Sequence, residues 1–368
     1  FLSGLGIGNQ LKAKLLRRFG QLSEDPLTVT LQEAIMSSGL VPERRGGSKK
    51  DAIRDLAFAL RLHNDASLRA RHLTLSTHQI DELARILIKK YFKDDQEYLA
   101  SPEGNADFFD HLIDRLADNR RRVVPWFNRI SRLDGLRILE IGSGTGSSAV
   151  AFAEQGAQLT GIDIDEPSLE VARRRCALYG LGSVELEWVN IADEHPVFTP
   201  RYDLIVFFAS LEHMLHEERL EGLRKTWAML GSGGLLGVLE CPNRLWFFDD
   251  HTARLPFFHW LPDRLAMEYS RRSPRPSLRA EGAGTSIDTF LRHGRGVSFH
   301  EFELGLGDLK TLQVAGELES FLQRSYPAFY LRHRFSLAHS YERFLRKVAP
   351  GVHIGFFCPG LNIVLRKP

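Results

Sequence analysis

The stretch Glu140-Ile141-Gly142-Ser143-Gly144-Thr145-Gly146 has the residue types and spacing of a ligand cradle. It follows a short apolar run and opens a helix-forming segment. There a glycine-rich turn lets backbone amides approach a ligand closely, at the positive end of the helix. Dinucleotide-binding turns use the same placement, so the glycines alone do not choose the ligand. The spacing is G-x-G-x-G rather than G-x-G-x-x-G. An acid, Glu140, stands two residues before the first glycine, where it would repel a pyrophosphate but suits a ligand carrying an ammonium group and a sulfonium. The next apolar run ends in Gly161-Ile162-Asp163-Ile164-Asp165. Asp163 lies where an acid at a strand's C-terminal end can accept both hydroxyls of a ribose.

Further candidates lie downstream. Phe208-Ala209-Ser210-Leu211-Glu212-His213-Met214 follows a fourth apolar run. His213 has the pKa range of a base for a hydroxyl nucleophile. Glu240-Cys241-Pro242-Asn243-Arg244 leaves a fifth run, and Asp249-Asp250-His251 and His259 follow in an aromatic segment. An Asp/His group of this kind could bind a metal, but no further ligand spacing supports one, so no metal is expected. Asp250, His251 and His259 read instead as groups that hydrogen-bond a polar substrate, while Leu245-Trp246-Phe247-Phe248 and Leu255-Pro256-Phe257-Phe258-His259-Trp260 stack on it or pack as a flap. His300 and Glu301, in a second polar–aromatic cluster, rank behind His213.

The elements that must hold these residues alternate. Leu136–Ile141 is a nearly continuous apolar run, as expected of a strand buried on both faces of a parallel sheet. Helices are predicted at Ser147–Gln155, Pro167–Tyr179 and Glu217–Leu230. Strands are predicted at Gln158–Ile162, Val184–Val189, Tyr202–Phe208 and Gly234–Leu239, with a closing strand at 360–367. That alternation predicts an α/β fold: a doubly wound, Rossmann-like, mostly parallel sheet of seven strands. Residues 1–131 read as an N-terminal helical domain, from apolar spacings such as Leu11–Leu15–Leu16–Phe19, Ile53–Leu56–Leu60 and Ile80–Leu83–Ile86–Leu87. Ser76 and Thr77 are candidate caps for the last of these. The core is expected at 132–240, a substrate-facing insertion at 241–296 with a mobile stretch over 271–284, and the completion of the core at 297–368, mixed with much helix.

Over Leu136–Leu239 the chain resembles the class I S-adenosylmethionine methyltransferases, on the strength of the Glu140–Gly146 loop and Asp163 together. The resemblance implies that Gly142, Ser143, Gly144 and Gly146 line the methionine part of the cofactor, S-adenosyl-L-methionine. Glu140 would help hold its ammonium group, Asp163 the ribose, with Ile164 packed on adenine. Asn190-Ile191 falls where the family has an acid and a small residue at the adenine edge. Asn190 departs from the usual acid. Phe208 ends the fourth strand at the same edge, and the Glu-His pair after it is similar to that of many small-molecule members. Pro-Asn-Arg with the later Leu-Pro-Phe-Phe-His-Trp-Leu-Pro resembles a bacterial subgroup acting on glycans or similar metabolites. The implied reaction is O-methylation of a polar small molecule or glycan hydroxyl. In-line alignment does most of the work there, because the sulfonium already activates the methyl group. The alternatives are N- or C-methylation of a metabolite and, in another class, a non-catalytic cofactor-binding interaction protein.

Composition agrees with an ordinary globular protein. The 368 residues are 43% hydrophobic and 26% charged, with 48 basic against 46 acidic side chains. That near-neutral balance does not make nucleic acid the expected partner. The clusters at Arg120–Arg122 and Arg271–Arg279 read as solvated loops or helix ends. Three separated cysteines give neither a disulfide framework nor a thiolate metal site, and fit a reducing, cytoplasmic setting. No apolar run reaches the roughly 18 to 20 residues of a membrane-spanning helix, and Phe1–Gly8 is too short for a signal-peptide core. Self-association would run through the helical domain.

Overall fold

The computed structural model describes residues 75–193, 202–281, 285–325 and 337–368. The helical spacings read between Leu11 and Leu60 lie outside them.

Seven strands form one sheet: β1 (Arg137–Ile141), β2 (Gln158–Asp163), β3 (Glu185–Trp188), β4 (Tyr202–Phe208), β5 (Leu230–Pro242), β6 (Gln313–Glu317) and β7 (Gly360–Arg366). Their spatial order is β3-β2-β1-β4-β5-β7-β6. The first five run parallel, and β7 lies antiparallel between β5 and β6. The doubly wound, mostly parallel fold expected from the apolar alternation is thus the fold observed. β1 explains why its sequence is a continuous apolar run. Ile138 enters the core on one face, with Phe127, Phe152 and Leu204. Leu139 enters the core on the other, with Ile205, Leu223 and Phe302.

Helices α1 (Thr77–Ile86), α2 (Pro102–Phe109) and α3 (Val124–Ile130) precede the sheet. Ser76 caps α1, accepting from Gln79 while the Gln79 side chain accepts from the Ser76 amide. Gln79 also donates to the carbonyl of Leu178, so the cap ties α1 to the core. π-helical turns interrupt this helical region at Leu87–Tyr91, Asp110–Asp114 and Asn119–Val123. Around the sheet lie α4 (Ser147–Ala153), α5 (Glu166–Leu178), α6 (His216–Met229), α7 (Asp263–Ser270) and α8 (Phe299–Leu306).

One expectation changes and two are filled in. Arg120 is not solvated: it is buried, and Nε and Nη2 donate to the two oxygens of Glu154 at 2.8 and 2.6 Å. Of the stretch 271–284, the described part holds a helix at Pro276–Glu281 and Arg275 bonded to Glu103 at 2.6 Å, and 282–284 lie outside the described residues. The segment beyond 297 contains strand β6, whose Gly316 leaves room for Ile130 and Trp126 to pack against its backbone. The insertion also has a small apolar core of its own, including Ala253, Phe258, Ala266 and Phe290. Among the described residues, no helix is long and apolar enough to cross a membrane.

Candidate active site

The strand order reverses between β1 and β4, and a cavity of about 370 Å³ opens at the C-terminal ends of these strands. Doubly wound sheets bind ligands at such a switch point. The turn after β1 forms its floor. Amides of Gly142 and Ser143 donate to the Ile162 carbonyl, and the Gly144 amide donates to Asp163 Oδ2 at 2.8 Å. Asp163 Oδ1 accepts from the Asp165 amide. Each carboxylate oxygen keeps a second lone pair, and the group lines the cavity. Burial raises the Asp163 pKa against the pull of those two amides.

Glu140 is placed differently from the residues around it. It is fully buried beneath the turn, and its Oε2 accepts from the Ser143 hydroxyl. Burial pushes its carboxyl up to about 7, with the hydroxyls of Ser148 and Ser143 opposing. It supports the turn from below and does not line the cavity. Gly142, Ser143, Gly144, Ile164, Asn190, Ile191 and Phe208 all do. Gly146 instead caps α4 at φ +81°, where a Cβ would meet Ala172 at 2.9 Å.

Tyr91, His111, Arg115 and Asn119, which sequence reading missed, close the cavity from the N-terminal helices. The first, second and last lie in the three π-helical turns, and such turns are frequent at functional sites. His111 Nδ1 lies 3.1 Å from Thr145 Oγ1 in the glycine turn. Burial, with Asp107 adding, pushes the Tyr91 phenol up to about 12.

The fourth wall follows β4 and β5, where two non-glycine residues take left-handed backbone, Ala209 at φ 45° and Glu240 at φ 56°. Strain of this kind gathers at functional sites. Beyond Ala209, His213 lines the cavity with Ser210, Met214, Glu240, His251 and Arg292. His213 Nδ1 lies 2.8 Å from the carbonyl of Arg292. A carbonyl only accepts, so Nδ1 carries the hydrogen and Nε2 presents a lone pair. His213 and His251 face one another with ring centroids 5.7 Å apart. Glu212 stands behind both, fully buried. The ligating atoms of Glu212, His213 and His251 lie within 4.8 Å of one another.

The remaining sequence candidates do not reach the cavity. Asp250 is exposed and does not line the cavity. His259 is buried, 3.2 Å from Asp249, and its Nδ1 accepts from the Gly296 amide. Burial works to raise Asp249, yet His259 and the amides of Thr252 and Ala253 hold it down at about 2. This pair fixes the insertion. Trp246 and Phe247 pack on Tyr341 instead of facing the cavity. Glu301 caps α8 through Ser298, and His300 stacks on Phe299.

Residues 139–236 match a family model described as a methyltransferase domain. A ubiquinone biosynthesis O-methyltransferase from Leptothrix cholodnii is 36% identical over 95 residues, 25% of this chain and 39% of that protein. The O-methyltransferase resE of Aspergillus sclerotiorum is 33% identical over 126 residues, 31% of this chain and 46% of that one. The chain therefore spans less than half the length of these relatives. A crystal structure of magnesium protoporphyrin IX methyltransferase from Synechocystis PCC 6803 with bound SAM is 19% identical, with a TM-score of 0.34, covering 47% of this chain and 80% of that one. The matched segment carries the glycine turn, Asp163 and the Glu212-His213 pair. By that match it is a methyltransferase domain.

Proposed function

We propose that the protein transfers the methyl group of S-adenosylmethionine to a hydroxyl of a polar small molecule or glycan. One observation carries the reading. The glycine turn and Asp163 share a single cavity with an inward-facing imidazole lone pair at the end of β4. In this reading Gly142, Ser143 and Gly144 hold the methionine part, Asp163 the ribose, and Ile164, Asn190 and Ile191 the adenine, with Phe208 at their edge. Glu140 acts through the turn. The ribose needs the lone pairs that Asp163 has left after its two amide bonds.

A hydroxyl must lose a proton as it attacks, unlike a neutral amine. The cluster of Glu212, His213 and His251 supplies acceptors for that proton, with both histidines lining the cavity; this favours O- over N-methylation. His259 and Asp250 have no part in it. The acceptor and a cytoplasmic setting belong to this proposal, as does self-association through the N-terminal helices.

Calorimetry with S-adenosylmethionine and S-adenosylhomocysteine tests the first half, and one-site binding is expected. A folded sample that binds neither would end the proposal. Incubation of metabolite and glycan fractions with methyl-labelled cofactor tests the second half, the expected product being an alkali-stable methyl ether.

A further inference from the structure

Glu212 is the least explained side chain at the site. It is fully buried, and neither carboxylate oxygen has a hydrogen-bond partner. The buried guanidinium of Arg219 acts on it through charge alone and makes no hydrogen bond to it. That group directs its hydrogen bonds to the backbone carbonyls of Met214, Glu212, Arg295 and Gly296. A buried carboxylate without a hydrogen-bond donor is strongly disfavoured.

Besides the buried Cys241 thiol, what faces it is two imidazole nitrogens. His213 Nε2 is 3.7 Å from Glu212 Oε1, and His251 Nε2 is 3.8 Å from the same atom. Both distances exceed a hydrogen bond. The tautomers follow from the opposite side of each ring. His213 Nδ1 donates to the Arg292 carbonyl. For His251, the Thr252 hydroxyl donates to the Gly294 carbonyl, so its oxygen accepts from His251 Nδ1 at 3.1 Å. Both Nε2 atoms therefore present lone pairs to a carboxylate with no hydrogen between. Three electron-pair donors converge on one point, and a bond from the far side orients each imidazole, as is usual for metal-binding histidines.

We propose that Glu212, His213 and His251 bind one divalent metal ion of the imidazole-preferring kind, from the iron-to-zinc series, at the acceptor end of the cofactor cavity. Donors around such an ion, at about 2.0 to 2.2 Å, lie roughly 3.0 to 3.6 Å apart, so the two Glu212–histidine separations need to close by only a few tenths of an ångström, while the two histidine nitrogens, within 4.8 Å of each other, draw together by a side-chain rotation. Two nitrogen ligands disfavour magnesium and calcium, which take oxygen. His213 and His251 keep 39% and 34% of their side-chain surface, leaving the ion open toward the cavity.

The ion's role rests on the methyl-transfer reading above. Bound to the ion, the acceptor hydroxyl releases its proton to water. The oxygen's electron pair forms the new O–C bond as the C–S bond breaks, and the sulfur keeps the C–S bonding pair as a neutral thioether. His213 is then a ligand, and the ion rather than the ring acidifies the hydroxyl.

The test uses the full chain, stripped with chelator and titrated with Co2+, Zn2+, Mn2+ and Mg2+ by calorimetry, with Co2+ also followed by visible absorption. S-adenosylhomocysteine is titrated in parallel. The expected result is one Co2+ per chain, bound at least about tenfold more weakly by folded Glu212→Gln and His251→Ala variants, with S-adenosylhomocysteine affinity held within about twofold. No stoichiometric Co2+ binding, or equal binding by both variants, would overturn the site. Equal affinity for Mg2+ would overturn the ion class. Failure to bind S-adenosylhomocysteine while Co2+ still binds would sink the methyl-transfer reading and leave the metal site standing.

Discussion

The turn after β1 lies against the segment after β4 because Gly142 has no side chain. Its backbone sits at φ +82°, and a Cβ there would fall 2.3 Å from the Cβ of Ser210. Ser210 in turn donates to the Ile141 carbonyl at 2.7 Å, so neither side can retreat without breaking that bond. Gly142→Ala is therefore expected to cost about 1 to 3 kcal/mol of stability and to weaken S-adenosylhomocysteine at least about tenfold. Urea unfolding and calorimetry check the two halves, and unchanged affinity would remove the turn from the cofactor site. Residues of this type were legible in the sequence, because a glycine turn and an acid at a strand end are local patterns. Glu212 was legible only as half of a Glu-His pair, because its own significance depends on donors that fail to reach it. Asp249, Asp250 and His251 misled for the opposite reason. Three neighbours in sequence suggest one cluster, yet their side chains part: Asp249 turns inward to His259, Asp250 to solvent and His251 to the cavity.

Between elements, three fully buried arginines do the joining. Arg175 of α5 donates to the carbonyls of Thr145, His111 and Leu112, fastening the helices before the sheet to the glycine turn. Burial lowers its pKa to about 10, still far above neutrality, so it stays charged. Arg219 of α6 holds the turn carrying Glu212 and Met214 to Arg295 and Gly296. Arg295 binds the carbonyls of Phe258 and Leu261 and the carboxylate of Asp263, tying down the insertion. Such contacts span long sequence separations, and nothing in the local pattern distinguishes these arginines from solvated ones. Arg175→Met leaves three carbonyls without their donor. It should cost on the order of 3 kcal/mol and speed proteolysis within 77–130, readable by urea unfolding and timed digestion. The insertion offers a pH test. The His216 hydrogen bond, against burial and with Arg295, lowers Asp263 to about 2. The unfolded carboxyl titrates near roughly 3.9, so this folded pKa is depressed and its stabilisation is complete above that value. It is lost as pH falls from about 4 to about 2. The stability gap between wild type and Asp263→Asn should therefore shrink across that window, and a constant gap would argue against the pairing.

At the scale of the molecule, the sheet was the most legible part, because continuous apolar strands and periodic helices alternate without interruption from Leu136 to Leu239. The lid was not. The helices before the sheet show ordinary amphipathic spacing, and what brings Tyr91, His111 and Asn119 into the cavity is the π-helical winding of three short turns. A one-residue change in winding leaves no clear mark on a periodicity. The consequence is that the cavity proposed to hold the cofactor is closed by two parts of the chain, the sheet edge and these helices, joined by Arg175 and by the His111–Thr145 contact. A ligand that fills the cavity touches both, and so should stabilise both. At about 100 times its Kd, a single-site ligand adds about 2.7 kcal/mol to stability. Hydrogen exchange with and without S-adenosylhomocysteine should then slow not only in the Gly142–Gly146 turn but also across Leu87–Tyr91 and Asp110–Val123, the segments holding the three turns. Arg175→Met should uncouple the two responses, keeping protection in the glycine turn while the helices exchange as in the free protein. Protection confined to the turn in wild type would mean that the helices stand beside the cofactor without covering it.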